Sequence, residues 1–306
     1  MEASAAPSLA VVGVARPNFL LLPPVCVALA LAVAVYEGHE VAWLRLLPIM
    51  IGAIAAHVAV NAFNEHADFH SGLDFRTERT PFSGGSGTLV AHPHLAAAAL
   101  KLAWIALAIT VICGLWLLLE AGPGLLFFGL LGLLLVLGYS GPIAKHRWWV
   151  LLAPGIGFGV AMLLGTVFAL TGQLSPLSIA AGLLVGFLVS NLLLLNQFPD
   201  RDADASVGRD NMVIRDPVLA ARVYGSLLFG AILSLGVVVA IEPLSALAAL
   251  PLLFGWRVWR DATQHAKYHA GDVAALLRAM GINVMVTLAT PAVLAASILT
   301  AFFLEI

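Results

Sequence analysis

Charge is scarce in this chain. Only 10% of its 306 residues are Asp, Glu, Lys or Arg, and the net charge is −2. No basic surface is available to attract a nucleic acid, and none is expected as a partner. Cysteine is nearly absent. The two present, Cys26 and Cys113, lie inside apolar segments, which excludes a disulfide framework and a thiolate metal site. Linkers and low-complexity tracts are also missing, so residues 1–306 read as a single domain with a short N-terminal tail, 1–17. No cleavage site follows the first apolar run, which contains Pro23-Pro24, so it reads as a first span and not a signal peptide. What the chain has instead is apolar surface: 61% hydrophobic residues and a mean hydropathy of +1.00. That composition predicts an all-α, polytopic membrane protein.

Nine apolar segments approach the ~20 residues needed to cross a bilayer: Phe19–Tyr36, Leu46–Asn64, Leu95–Leu119, Gly124–Tyr139, Trp148–Thr171, Leu177–Leu195, Val223–Ile241, Leu244–Trp259 and Met280–Leu304. Thirteen of the fifteen basic residues then fall on the face that holds the N-terminus and the loops after the even-numbered spans. The opposite face has Arg45 alone, and Lys101 lies within the third span. The positive-inside bias makes the rich face cytoplasmic and the C-terminus extracytoplasmic. A cell membrane of a bacterium or archaeon is the expected location. Trp104, Trp148, Trp256 and Trp259 fit an interfacial belt.

The few acids are not scattered. Six of the seventeen lie in Glu65–Asp74 and Asp200–Asp204, directly after the second and sixth spans. Both stretches carry Asn-x-x-x-Asp, Asn64 to Asp68 and Asn196 to Asp200, 132 residues apart. An offset of four helices preserves direction, so both point the same way, as in two halves facing each other with one helix added. Residues three and four apart share a helical face. Asn61, Asn64 and Asp68 therefore form one stripe with Glu65 beside it, and Asn196, Asp200 and Asp204 form the other. Gly72 should end the first helix and let Asp74 turn back. Oxygen-only ligands suit Mg2+, with Asn64, Glu65, Asp68, Asp74, Asp200 and Asp204 as candidate ligands. Two facing anionic clusters would repel unless cations join them to an anion such as a diphosphate.

Bases accompany the clusters. Arg76 and Arg79 precede a loop with glycines at 84, 85 and 87; Lys145 follows Tyr139 after the fourth span; Arg201 and Arg209 flank the second cluster. These five bases are candidates for phosphate oxygens. Arg257, Arg260 and Lys267 read as topology, and His66, His70, His92 and His94 as loop or interfacial residues.

At these residues the chain resembles the UbiA superfamily of intramembrane prenyltransferases over nearly its full length. The first motif, Asn64, Glu65, Asp68, Gly72 and Asp74, is most similar to the 1,4-dihydroxy-2-naphthoate polyprenyltransferase branch of menaquinone biosynthesis. It departs in carrying Glu65 where Asp is usual. The resemblance implies nine transmembrane helices around a central cavity open to the cytoplasmic side and to lipid. It also implies two Mg2+ ions, a polyprenyl diphosphate and an aromatic acceptor. Asn64, Asp68, Asp200 and Lys145 would then be catalytic, and Asn61, Tyr139 and Asn196 would touch the acceptor or prenyl chain. Other acceptors in reach of such a fold are 4-hydroxybenzoate, another quinone precursor, a chlorin or an ether lipid. The competing reading outside the family is a cation-coupled transporter.

Overall fold

A computed structural model of the protein describes residues 10–268 and 273–304. The first nine residues of the expected N-terminal tail, and the last two residues, lie outside the described residues. All regular structure among the described residues is helical. The principal helices are α1 (Leu22–Tyr36), α2 (Trp43–Ser71), α3 (Ala96–Ala121), α4 (Leu125–Gly138), α5 (Arg147–Thr171), α6 (Pro176–Ser206), α7 (Pro217–Ile241), α8 (Phe254–Tyr268) and α9 (Val273–Leu304).

Six of these, α2, α3 with its lead-in, α5, α6, α7 and α9, are long and apolar enough to cross a bilayer. A seventh crossing is available if Val11–Phe19 and α1, bent by 45° to one another, count as one span. The chain is an integral membrane protein. Two expected spans come out differently. The fourth segment yields only the 14-residue α4. The eighth, Leu244–Trp259, is not one helix. It breaks into a 3-10 stretch at Pro243–Ala248, a turn at Ala249–Leu252 and then α8. Pro243 and Pro251 remove backbone donors there, and α8 exposes Arg257, Arg260 and Lys267.

The sequence repeat is visible in the packing. α2 packs along α3, and four helices later α6 packs along α7. α6 is the buried axis of the protein. Its start is fixed by a reciprocal capping box between Ser175 and Ser178. α5 reaches it closely because Gly155 and Gly159 lie against Gly182 and Gly186; a Cβ on Gly159 would stand 2.3 Å from the Gly182 carbonyl oxygen. At this contact α5 widens into π geometry over Ile156–Leu164, just after Pro154. A polar chain ties α6, α7 and α9 together. The Tyr224 hydroxyl donates to Asn283 Oδ1 at 2.7 Å, Asn283 Nδ2 to the Asn191 carbonyl at 3.2 Å, and Asn191 Nδ2 to the Tyr224 carbonyl at 3.2 Å.

The lone Arg45 on the base-poor face also has a structural reason. It donates to the Glu120 carbonyl at 2.6 Å and the Ala169 carbonyl at 2.9 Å, at the C-terminal ends of α3 and α5. Carbonyls left over at a helix end favour a cation.

Candidate active site

α2 and α6 both run past their apolar stretches and carry the acidic motifs on their last turns. α2 stops where Gly72 adopts φ 77°, and its N–H closes on the carbonyls of Asp68 and Phe69. Only a residue free to take the left-handed conformation ends a helix this way. The chain then turns through Leu73–Phe75, which returns Asp74 to a buried position.

The two motifs converge on one cavity of about 520 Å3. Asn61, Asn64, Asp68, Asp74, Tyr139, Asn196, Asp200, Asp204 and Arg209 all line it. Arg209 joins the halves. It pairs with Asp68 through Nη2, and its Nη1 lies 3.1 Å from Asp204 Oδ1. Around that bridge, Asn64 Nδ2 donates to Asp68 Oδ2 at 2.7 Å, and Asn211 Nδ2 to Asp204 Oδ2 at 3.0 Å. The cavity deepens into an apolar chamber walled by α2, α3, α4 and α5. Gly114 and Leu115 of α3, with Leu126, Gly129 and Leu130 of α4, line it and are also exposed on the outer surface.

Several buried acceptors on the cavity wall have no partner: Asp74 Oδ2, Asn196 Oδ1, Gln197 Oε1 and Asp200 Oδ1. Orphaned oxygens of this kind are costly unless a cation or donor meets them. Among the described residues no three His, Cys, Asp or Glu side chains converge tightly enough to cage a metal by themselves. The set fits a hard cation that shares its shell with amide oxygens, water and phosphate, as Mg2+ does. Asp74 shows the electrostatic cost most plainly. Burial, then the charges of Glu65 and Asp68, push its carboxyl up to about 7.

A family model for UbiA prenyltransferases matches residues 21–284, which contain both motifs and most of the cavity wall. The chain belongs to the UbiA prenyltransferase family. Among curated proteins it is similar to 1,4-dihydroxy-2-naphthoate octaprenyltransferase of Bacillus subtilis (strain 168), at 28% identity over 202 residues, 65% of this chain and 63% of that protein. It thus spans slightly under two thirds of that relative's length. A solved structure from work on the biosynthesis of digeranylgeranylglyceryl phosphate synthase in membranes superposes with a TM-score of 0.60 at 12% identity, covering 96% of this chain and 99% of that one. That likeness shows a shared UbiA fold.

Within this family framework, five sequence-selected residues stand off the cavity. Glu65 is fully buried but turned toward Arg16 and Ser86. Arg76 is exposed and donates from Nη1 to the Ser206 carbonyl and hydroxyl at the end of α6. Arg79 is exposed and lies across Gly87, where a Cβ would overlap its Nη1 at 1.7 Å. Lys145 is exposed beside the cavity-lining Ala144, and Arg201 is half-buried away from the lining. Of the five bases chosen for nearness in sequence, Arg209 lines the cavity and the other four do not. Adjacent helical residues point about 100° apart, so Arg201 leaves the face that Asp200 occupies. The cavity adds residues that sequence reading did not select: Arg16, Thr77, Ser83, Gln197 and Asn211. Gln197, next to Asn196, carried a local signal; Arg16 carried none beyond its charge.

Proposed function

We propose that the protein transfers a polyprenyl group from a polyprenyl diphosphate to an aromatic acceptor, with 1,4-dihydroxy-2-naphthoate as the acceptor and pyrophosphate as the leaving group. The observation that carries this reading is the joining of two distant acid motifs through Arg209 at the mouth of an otherwise apolar chamber. The naphthoate acceptor rests on the Bacillus subtilis relative and on the Gly72–Asp74 form of the first motif.

Asp68, Asp74, Asp200 and Asp204, with the amide oxygens of Asn64, Asn196 and Gln197, would hold Mg2+, which supplies charge neutralisation for the departing pyrophosphate. Arg209 and Arg16 place guanidinium charge at the same end of the cavity, where phosphate oxygens take it in paired hydrogen bonds. The apolar walls exclude water that would quench an allylic cation before the acceptor's ring carbon attacks. Tyr139 and Asn61 line the same cavity and suit contacts to the acceptor. The basic loops support a mouth on the cytoplasmic side.

The test is pyrophosphate release and prenylated product from purified protein in nanodiscs, given Mg2+, geranylgeranyl diphosphate and a panel of acceptors. Dihydroxynaphthoate should be consumed, EDTA should abolish turnover, and Asp200→Asn should reduce kcat by about a hundredfold or more. Undiminished turnover in EDTA, or in Asp200→Asn, would reject the assignment.

A further inference from the structure

Glu65 stands in the first acid motif, yet it does not line the cavity, and its carboxylate is held by Arg16 and Ser86. Oε1 accepts from Arg16 Nε at 2.8 Å and from the Ser86 N–H at 2.6 Å, and lies 2.7 Å from Arg16 Nη2. Oε2 accepts from the Ser86 hydroxyl at 2.8 Å. Three donors thus meet Oε1 and one meets Oε2, all of them from Arg16 and Ser86.

Both tethered segments carry unusual backbone. Arg16 has φ 51° and ψ 65°, the one non-glycine left-handed residue among those described. The carbonyl before it, on Ala15, accepts from Asn61 Nδ2 at 2.9 Å. Ser86 lies in the run of left-handed glycines 84, 85 and 87. A Cβ on Gly85 would fall 2.9 Å from Asp74 Oδ1 and 3.2 Å from Glu65 Oε1, so the loop backbone rests directly on the acids. The second motif holds the same loop from the other side, through Asn196 Nδ2 to the Phe82 carbonyl at 3.1 Å. Beyond the loop is a second cavity of about 320 Å3, and Arg16, Phe82, Ser83 and Gly85 line both cavities.

We propose that Glu65 is a positioning residue and not a metal ligand: its carboxylate latches the glycine loop and Arg16 together as the partition between the two cavities, and so sets Arg16 at the diphosphate end of the larger one. The extra methylene of Glu over Asp has a physical purpose in this arrangement. The side chain must reach past its own helix to two other segments, and an Asp at this position would fall short of them. The diphosphate part of this inference rests on the prenyl-transfer reading; the latch itself does not.

Full-length protein in nanodiscs tests it with three readouts. Amide hydrogen exchange across residues 83–88 reports the latch. Thermal stabilisation by Mg2+ with inorganic pyrophosphate reports cation binding. KM and kcat for geranylgeranyl diphosphate report the placement of Arg16. In Glu65→Gln, exchange should rise about tenfold, while the half-saturating Mg2+ concentration rises by less than it does in Asp68→Asn. KM should rise about tenfold with kcat within about threefold. Asp68→Asn should do the reverse, raising the Mg2+ requirement without loosening the loop. Glu65→Asp should behave as Glu65→Gln does. Ser86→Ala removes one hydroxyl only, so it should give the same pattern more weakly, and it serves if the Glu65 variants do not fold. A Mg2+ requirement raised in Glu65→Gln as much as in Asp68→Asn, or unchanged exchange at 83–88, overturns the proposal. Exchange and stabilisation need no turnover, so absent prenyl transfer with the latch pattern intact would count against the reaction and not against Glu65.

Discussion

Asp74 concentrates the electrostatic problem of the site in one residue. Its carboxyl is buried beside Glu65 and Asp68, and its folded-state pKa is raised from 3.8 to about 7. The folded state therefore holds the proton more tightly than the unfolded chain does. Its stabilising contribution is complete below pH 3.8 and is lost as pH rises through about 7. Metal-free protein should accordingly melt at a lower temperature at pH 8 than at pH 6. Asp74→Asn, which cannot ionise, should shrink that difference. Millimolar Mg2+ with pyrophosphate should shrink it in wild type as well, because a bound cation favours the ionised form. Thermal unfolding at the two pH values, with and without Mg2+, checks both; an equal pH dependence in Asp74→Asn would show that the charge is already compensated. The same residue shows what was legible locally. The Asn stripes and the Gly72 stop follow from helical period and from glycine's backbone freedom, both properties of neighbouring residues. Arg16 and Asn211 were not legible as site residues. Arg16 reaches Glu65 across 49 positions, and Asn211 meets Asp204 only after the chain has left its helix.

The helices α5 and α6 depend on bare glycine surfaces more than on any polar contact. Gly155 and Gly159 touch the backbone of Gly182 and Gly186 directly, so dispersion between close backbones replaces the side-chain burial that a soluble core would use. Gly159→Leu must therefore separate the two helices or unwind the π stretch. It should cost about 2 kcal/mol or more, seen as a lowered melting temperature in detergent and as lost ligand stabilisation, since α5 walls the cavity. Gly236→Ala is the matched control: nothing lies within 4 Å of a Cβ built there, and α7 should tolerate or slightly favour it. If Gly159→Leu melts like wild type, the glycine contact is not what holds α5 to α6. Hydropathy found these elements but did not see where one of them breaks. It counts apolar residues and ignores where a proline interrupts the hydrogen-bond ladder, so the stretch after Glu242 read as one span when Pro243 and Pro251 divide it. The fourth expected span forms as the 14-residue α4.

At the scale of the whole molecule, the doubled motif and the apolar chamber pose one question: how a tail that belongs in lipid meets a charged head that belongs in water. The two halves bring their polar ends together at Arg209, while the chamber's α3 and α4 lining includes residues exposed on the outer surface. Gly114 and Gly129 line that side of the chamber, and nothing lies within 4 Å of a Cβ placed on either. An opening there would remove the need to fold a long chain into about 520 Å3, because the distal isoprene units of the proposed donor would remain in the bilayer. The argument makes a length-dependent prediction. Gly129→Trp fills the route without touching the acid motifs. It should leave Mg2+–pyrophosphate stabilisation and turnover of a short allylic diphosphate near wild type, while lowering kcat/KM for geranylgeranyl diphosphate and longer donors about tenfold or more. Equal losses for short and long donors would place the tail elsewhere, and no loss for any donor would make the gap a feature of packing with no part in substrate entry.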